Sequence, residues 1–182
     1  MNFHKPSIKR FLNSNTLKRT DFTTYRNSKN QICPQNASNA KNRCSSGSEI
    51  YDMGNAPAGF DLLSMTKENQ NFRTVLWTGK NLQLTVMSIP KGEEIGEEMH
   101  DSLDQFIYIV SGDGEVDMRR VPGGVCTTTK KFSPGNAILI PAGTYHNIKN
   151  TSSADVKLFS IYAPKAHKFG TVNKTKADTK DN

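Results

Sequence analysis

Cysteine is scarce in this sequence, which has only three among its 182 residues. Cys33 and Cys44 lie near the N-terminus, Cys126 stands alone, and no two of them form a CxxC pair. This pattern argues against a zinc knuckle and against a framework of disulfides. A single Cys33–Cys44 disulfide stays open.

Long apolar runs are also lacking. No stretch approaches the roughly 18 apolar residues that a membrane-spanning helix needs, and no secretory apolar segment follows Met1. We therefore expect no membrane span and a cytoplasmic location. Organelle targeting by the N-terminal segment stays open, because its first twenty residues contain Arg and Ser but no acidic residue.

Acidic residues are few at the N-terminus. Residues 1–50 contain nine Lys and Arg but only Asp21 and Glu49, a net charge of +7, and the whole chain also carries +7. The remaining residues are therefore neutral overall, and the basic character belongs to the N-terminal segment. A scattered basic segment of this kind is weak grounds for nucleic-acid binding, which we do not expect.

Polar composition divides the chain into segments. Residues 1–48 are rich in Asn, Ser, Lys and Thr, which is typical of a solvated, largely irregular extension. A short amphipathic helix around Ile8 and Leu12 is the alternative. We predict a basic low-complexity N-terminal extension at 1–48, a barrel domain at 49–176 and a polar C-terminal tail at 177–182.

Short apolar strands separated by turn signals fill the middle of the chain. Residues 82–89 alternate between two faces, and FIYIV at 106–110 is apolar on both faces, which indicates a strand that is covered on both sides. A short helix is expected within 61–70. Further strands are expected at 71–79, 115–121, 137–140 and 156–163, and one that begins at His146. About eight strands at this spacing favour a two-sheet sandwich or barrel.

Glycine and proline predict the connections. SGDG at 111–114 is typical of a hairpin turn, and residues 122–131 are predicted to be a loop. Beyond Pro164 the basic and polar composition predicts a solvated tail. Packing of Phe169 and Val172 against the barrel mouth is the alternative.

Residues 135–150 (GNAILIPAGTYHNIKN) combine a glycine turn, a strand and a histidine. Five residues separate Gly135 from Pro141, one separates Pro141 from Gly143, two lead to His146 and three to Asn150. Gly143 lets the chain turn sharply, so that His146 begins the next strand. All five positions match the spacing of the second motif of the cupin family, which this stretch resembles.

Residues 92–112 are similar to the first cupin motif. Five residues separate Gly92 from Glu98, one separates Glu98 from His100, four lead to Gln105 and six to Gly112. The spacing fits throughout, but two residue types depart from the pattern. The motif usually has histidine where Glu98 stands and glutamate where Gln105 stands.

The departures leave a full set of metal-binding groups. Glu98 and His100 are two residues apart, so on a strand they face the same side, and Gln105 begins the return strand and can face them. With His146 they offer two imidazoles, one carboxylate and one amide oxygen, a formal charge of −1 as in the usual set. Such a set suits a divalent ion of Fe, Mn, Ni or Zn and leaves two octahedral positions open.

Residues 71–176 resemble small single-domain cupins of the cupin type-2, RmlC-like group. The stretches LDQFIYIVSG, ILIPAGTYHNIKNT and LFSIYAP carry this resemblance. It implies an all-β fold, the cupin double-stranded β-helix or jelly-roll barrel, with a metal site and often a homodimer. It names no substrate, since one fold hosts many functions.

Three functions stay open. The favoured one is a metal-dependent enzyme of the oxygenase, isomerase or lyase type that acts on a small polar substrate, with Gln105 as fourth ligand or as hydrogen-bond donor to a bound water. The second is a non-catalytic module that binds a small ligand or serves as a scaffold. The third is a structural cupin without metal, in which Glu98 and Gln105 reflect decay. No separate base, facing carboxylate pair or nucleophile elbow is recognisable, so the reaction type is open.

Overall fold

The computed structural model describes residues 52–119 and 128–181. Within these ranges lie one short α-helix, nine strands and a terminal 3-10 helix. Their bounds are α1 Leu62–Glu68, β1 Arg73–Thr78, β2 Gln83–Ile89, β3 Asp104–Ser111, β4 Gly114–Arg119, β5 Thr128–Phe132, β6 Ala137–Ile140, β7 Tyr145–Asn150, β8 Val156–Ala163, β9 Val172–Asn173 and the 3-10 helix Lys176–Asp181. Within the same ranges no helix has the length and apolar character needed to cross a membrane. The predictions for the extension at 1–48 and for all three cysteines lie outside the described residues.

The strands form two antiparallel sheets that face each other. The larger sheet has the order β6-β3-β8-β2-β1-β9, and the smaller has the order β5-β4-β7. The chain crosses from one sheet to the other after β3, β5, β6 and β7, so both walls of the barrel contain strands from the middle of the chain. This arrangement is the cupin jelly-roll barrel predicted from the spacing of the motifs, and the prediction of an all-β fold is confirmed.

Apolar side chains from both sheets fill the space between them. Met87 on β2, Ile107 and Ile109 on β3 and Ile148 on β7 are all fully buried in one cluster. They occupy alternate positions of their strands, because successive side chains of a strand point to opposite faces. The core therefore fills one part of the barrel and leaves polar side chains to line the other.

Helix α1 covers the outer face of the larger sheet. The Asp61 carboxylate caps the helix by accepting a hydrogen bond from the backbone N–H of Ser64 at 3.2 Å. Leu62 and Met65 on one side of α1 pack over Leu84 and the other outward residues of β2. As a result β2 is buried along its whole length. The predicted helix within 61–70 and the alternation of β2 are both confirmed.

The chain after β8 returns to the barrel, so the prediction of a solvated tail is wrong. β9 adds to the edge of the larger sheet, where Asn173 lies opposite Arg73 and Val172 opposite Thr74. The alternative, in which Val172 packs back, is correct, whereas Phe169 remains 58% exposed. Strand pairing with β1 outweighed the polar composition on which the prediction rested.

One buried amide anchors this returning segment. The Gln83 side-chain oxygen accepts hydrogen bonds from the backbone N–H groups of Ala166 (3.1 Å) and His167 (2.8 Å). Its Nε2 donates to the His167 carbonyl at 2.9 Å and to the Thr78 hydroxyl at 2.9 Å. Since a buried amide must find partners for both of its ends, Gln83 fixes the backbone of His167 relative to β2.

Three local predictions are wrong for identifiable reasons. β5 was expected to be loop, because its exposed lysines break the apolar alternation. β6 was expected to be buried, but it is an edge strand and Leu139 is 70% exposed. SGDG at 111–114 joins strands of different sheets and is therefore not a hairpin.

Two motif glycines differ in the space around them. Gly112 and Gly135 both have positive φ angles, of 84° and 90°. A Cβ added at Gly112 would lie 2.9 Å from the Cα atom of Val156, whereas at Gly135 no atom lies within 4 Å. Glycine is therefore required at position 112 both by the positive φ angle and by the close approach of Val156, and at position 135 by the φ angle alone.

We expect Gly112→Ala to lower the free energy of unfolding more than Gly135→Ala. Both substitutions force an L-residue into the left-handed region, at a cost of about 1–2 kcal/mol. Gly112→Ala adds a clash with β8, worth about 1–3 kcal/mol more. Urea unfolding followed by circular dichroism measures both losses, and equal losses would contradict the expectation.

Candidate metal centre

Two reciprocal backbone hydrogen bonds bring the two motifs together. The N–H of Glu98 donates to the carbonyl of His146 at 3.0 Å, and the N–H of His146 donates to the carbonyl of Glu98 at 2.9 Å. A further bond joins the N–H of Gly143 to the carbonyl of His100 at 2.8 Å. Residues paired in this way carry their side chains on the same side. Around Glu98 the chain forms only isolated β-bridges and not a continuous strand. The bridge to His146 nevertheless places the side chains of Glu98 and His146 on the same side.

His146 is held in one tautomer. Its side chain is buried, with 2% of its surface exposed, and Nδ1 lies 3.0 Å from the carbonyl oxygen of Thr144. A carbonyl only accepts hydrogen bonds, so Nδ1 carries the proton. In the neutral ring Nε2 then keeps a free lone pair, which is the form that ligates metals.

Gln105 is oriented by a second-sphere hydroxyl. Its Nε2 donates to the hydroxyl oxygen of Ser160 at 3.0 Å. The Ser160 hydroxyl itself donates to the carbonyl of Phe106 at 3.3 Å, so towards Gln105 it can only accept. The amide nitrogen of Gln105 must therefore face Ser160, and its Oε1 is left free on this buried strand.

Glu98 lies between a histidine and an arginine. One carboxylate oxygen is 3.8 Å from Nε2 of His100, and the other is 3.8 Å from Nη2 of Arg73. The rings of His100 and His146 have centroids 5.7 Å apart. The structure thus brings Glu98, His100 and His146 together, while Gln105 lies on the interior strand β3.

The electrostatic setting keeps His100 neutral. Burial lowers the pKa of His100 below its usual value, the negative charge of Glu98 opposes this shift, and His146 and Arg73 lower the pKa further. An imidazole with a lowered pKa carries no proton on its acceptor nitrogen at neutral pH. His100 therefore offers a lone pair under ordinary conditions.

The side chains are not closed into a coordination sphere. No group of three or more His, Cys, Asp and Glu among residues 52–119 and 128–181 is arranged to hold a metal ion. The 3.8 Å between His100 and Glu98 exceeds the about 3 Å expected of adjacent ligands that each lie about 2.1 Å from one ion. Rotation of the partly exposed Glu98 side chain would close this gap.

A cavity of about 280 Å³ is lined by one of the candidate ligands, Glu98, and its wall also includes Arg73 and His167. Tyr162 lies beside it, with its ring edge-on to His167 at 5.0 Å and to His100 at 5.8 Å. The sequence analysis missed Arg73, Tyr162 and His167. A charged residue at the start of the predicted strand 71–79, next to the apolar residues Val75 and Leu76, was the available signal for Arg73, whereas nothing local marks His167.

Comparisons with known proteins cover the part of the chain that carries both motifs. A family model described as Cupin domain matches residues 85–162, which include both motifs. The uncharacterized protein YrkC of Bacillus subtilis (strain 168) is 46% identical over 129 residues, or 71% of this chain and 69% of that protein. The uncharacterized protein L612 of Acanthamoeba polyphaga mimivirus is 36% identical over 109 residues, or 59% of this chain and 66% of that protein.

One crystal structure is similar over the barrel. The structure of BH2720 from Bacillus halodurans has a TM-score of 0.71 at 44% sequence identity, and it covers 73% of this chain and 100% of the other. The similarity therefore extends beyond the two motifs to the sheets that carry them.

We expect His167 to stay neutral well into the acid range. Burial lowers its pKa, Arg73 and His100 act in the same direction, and together they bring it to about 3. Because this value lies below that of the unfolded chain, about 6.5, the contribution of His167 to stability is complete above about pH 6.5. It is lost as the pH falls towards 3, by at most about 1.4 kcal/mol per pH unit.

Two measurements check this expectation. NMR of the His167 ring should show no titration between pH 8 and 5, and His167→Gln should make the acid loss of stability less steep. A ring that titrates with a midpoint near 6.5 would contradict it.

Proposed function

Because this chain belongs to the cupin family, we propose that its barrel binds one divalent metal ion through Glu98, His100, Gln105 and His146. One observation carries this proposal. Each of these side chains has one buried atom without a hydrogen-bond partner, and these atoms are Glu98 Oε1, His100 Nε2, Gln105 Oε1 and His146 Nε2. Buried polar atoms are normally paired, and all four are lone-pair donors of the kind that Fe, Mn, Ni and Zn accept.

The residues around the four candidates support the same role. The Thr144 carbonyl sets the tautomer of His146, and the Ser160 hydroxyl sets the orientation of the Gln105 amide. Second-sphere hydrogen bonds of this type orient metal ligands in proteins. A divalent ion bound here would supply Lewis-acid or oxygen chemistry to a small ligand in the adjoining cavity.

We favour a metal-dependent enzyme of the oxygenase, isomerase or lyase type that acts on a small polar substrate. Tyr162 and His167 each have a buried polar atom without a partner beside the cavity. A metal ion held by the four candidates would leave these two atoms without partners, whereas a polar ligand could form hydrogen bonds with them. They are therefore suited to bind a substrate next to the metal.

One observation favours the alternative, a non-catalytic module that binds a small ligand. The pKa of His167 is lowered to about 3, and burial raises the pKa of Tyr162 above its usual value. Neither group exchanges protons readily near pH 7. If the chain is a metal-dependent enzyme, Glu98 would therefore have to transfer any proton. Turnover of a substrate would distinguish the enzyme from the binding module.

We expect about one Fe, Mn, Ni or Zn ion per chain in protein purified without a histidine tag. Elemental analysis by mass spectrometry should show its loss from both Glu98→Ala and His146→Ala. Matched controls are Glu97→Ala, since Glu97 forms its ion pair with Arg119, and His167→Gln, and both should retain the metal. A parent protein that stays metal-free after reloading would refute the proposal, as would full retention in both ligand variants.

We also infer that the barrel forms a homodimer through the outer face of the larger sheet. Leu139 on edge strand β6 is 70% exposed and lies opposite Phe106 on β3. Phe106 and Tyr108 continue this surface with Phe159, whose ring stacks on Tyr108 at 5.1 Å. An exposed apolar patch beside a free sheet edge is typical of an interface.

Leu139→Glu is expected to convert the dimer into monomers, because it places a charge at the exposed apolar side chain of this patch. Leu82→Glu is the matched control, since Leu82 is 40% exposed but precedes β2 on a different part of the surface. Size-exclusion chromatography with light scattering measures both masses. A monomeric parent, or a Leu139→Glu protein that stays dimeric, would rule out this interface.

A further inference from the structure

Arg73 is a buried cation whose Nε edge lacks a hydrogen-bond partner. Only 5% of its surface is exposed, and its Nε has no hydrogen-bond partner. Its one close ionic neighbour among the described residues is Glu98, at 3.8 Å, which is too long for a hydrogen bond. The guanidinium also lies 5.7 Å from the ring centroid of Phe72. An arginine buried in this way is costly unless an anion pairs with it.

The proposed metal site increases the need for such an anion. If Glu98 turns to ligate the metal, it moves away from Arg73, and no other described carboxylate lies within ion-pair distance of this guanidinium. A divalent ion, one carboxylate, one guanidinium and neutral imidazoles then sum to an excess of two positive charges. A buried excess of that size attracts negative ligands into the cavity.

His167 extends the polar wall next to Arg73. Both residues line the same cavity, and Nε2 of His167 is buried without a partner. The clamp formed by Gln83 holds the His167 backbone from both its N–H and its carbonyl. A ring on so fixed a backbone is a preorganised contact for a ligand.

We propose that Arg73 and His167 form a subsite for the carboxylate of a small organic acid, which would lie between them and the proposed metal. This inference rests on the proposed metal site and names the substrate class of that site. Arg73 would receive the carboxylate side-on through its Nε edge, as the planar fork of a guanidinium does. His167 would contact the ligand through Nε2, so both unpartnered atoms would gain partners.

Size and charge favour a monocarboxylate or short dicarboxylate over a phosphate ester. The cavity of about 280 Å³ is at the small end of ligand pockets, which begin at about 300 Å³. A dicarboxylate can place its second charge on a separate group towards the proposed metal, whereas a phosphate would concentrate both charges on one group next to Glu98. The subsite is therefore expected to prefer carboxylate to inorganic phosphate.

The test is isothermal titration calorimetry on the full chain loaded with Zn(II), with the zinc content of every sample measured by elemental analysis. The probes are acetate, L-lactate and malonate, the neutral amide of each, and inorganic phosphate. We expect at least one carboxylate to bind at least tenfold more tightly than its amide and more tightly than phosphate. Arg73→Gln should remove this preference with the zinc content unchanged, and His167→Gln should weaken carboxylate binding several-fold.

Two further variants make the result specific. Arg73→Lys keeps the charge but loses the planar fork, so it should retain part of the preference and should still fold if Arg73→Gln does not. Lys149→Gln is the matched control, because it removes one positive charge from β7, where Lys149 pairs with Asp117 outside the cavity wall, and it should bind carboxylates as the parent does.

The outcomes separate this inference from the metal proposal. Zinc binding without any preference for carboxylate overturns the subsite and leaves the metal site standing. A preference that survives Arg73→Gln, or tighter binding of phosphate, overturns it too. If the chain binds none of Zn, Fe, Mn and Ni on reloading, the metal proposal fails. The same titrations on the metal-free chain then decide the subsite: a carboxylate preference lost in Arg73→Gln supports it, and no preference overturns it.

Discussion

The paired backbone hydrogen bonds between Glu98 and His146 are the interaction on which the candidate site depends. They join two stretches that lie far apart in sequence and on different parts of the barrel wall. Because backbone atoms make these bonds, the positions of the two side chains do not depend on which residue types stand there. His100 follows Glu98 into the interior, and β7 carries His146 into the small sheet.

The fold was readable from the sequence because its signals are local. Glycines and prolines at fixed spacing mark turns, and alternation on β2 marks a strand, whatever the rest of the chain does. The same spacing named Glu98, His100 and His146, which the structure brings together. The sequence did not identify Arg73 and His167 as site residues, because their positions relative to the site depend on where the C-terminal segment returns and on which strand it joins. β5 was not predicted either, because an exposed edge strand needs no apolar face and therefore has no apolar alternation in its sequence.

The two departures from the usual motif have a common electrostatic logic. Position 105 is buried, with 3% of its surface exposed, and a carboxylate there would lose its hydration and would have only a bound metal ion to offset its charge. The neutral amide of Gln105 avoids that cost. At position 98 the side chain is 23% exposed and lies near Arg73, where a negative charge is both hydrated and paired. The carboxylate thus stands at the one of the two positions that tolerates it, and the ionic partner of Arg73 becomes part of the candidate site.

The Gln83 clamp fixes a segment of the barrel that is distinct from the two motifs and has a different role. The candidate ligands sit on the turns and strands of the two motifs, whereas His167 sits on a segment held mainly by one glutamine and a short edge strand. Insertions or substitutions between Pro164 and Val172 therefore leave the motif strands in place as long as the clamp persists. Within a lineage, such a segment can diversify while the motifs stay constant. Relatives that share both motifs but differ after β8 would then be expected to recognise different molecules with one inherited centre.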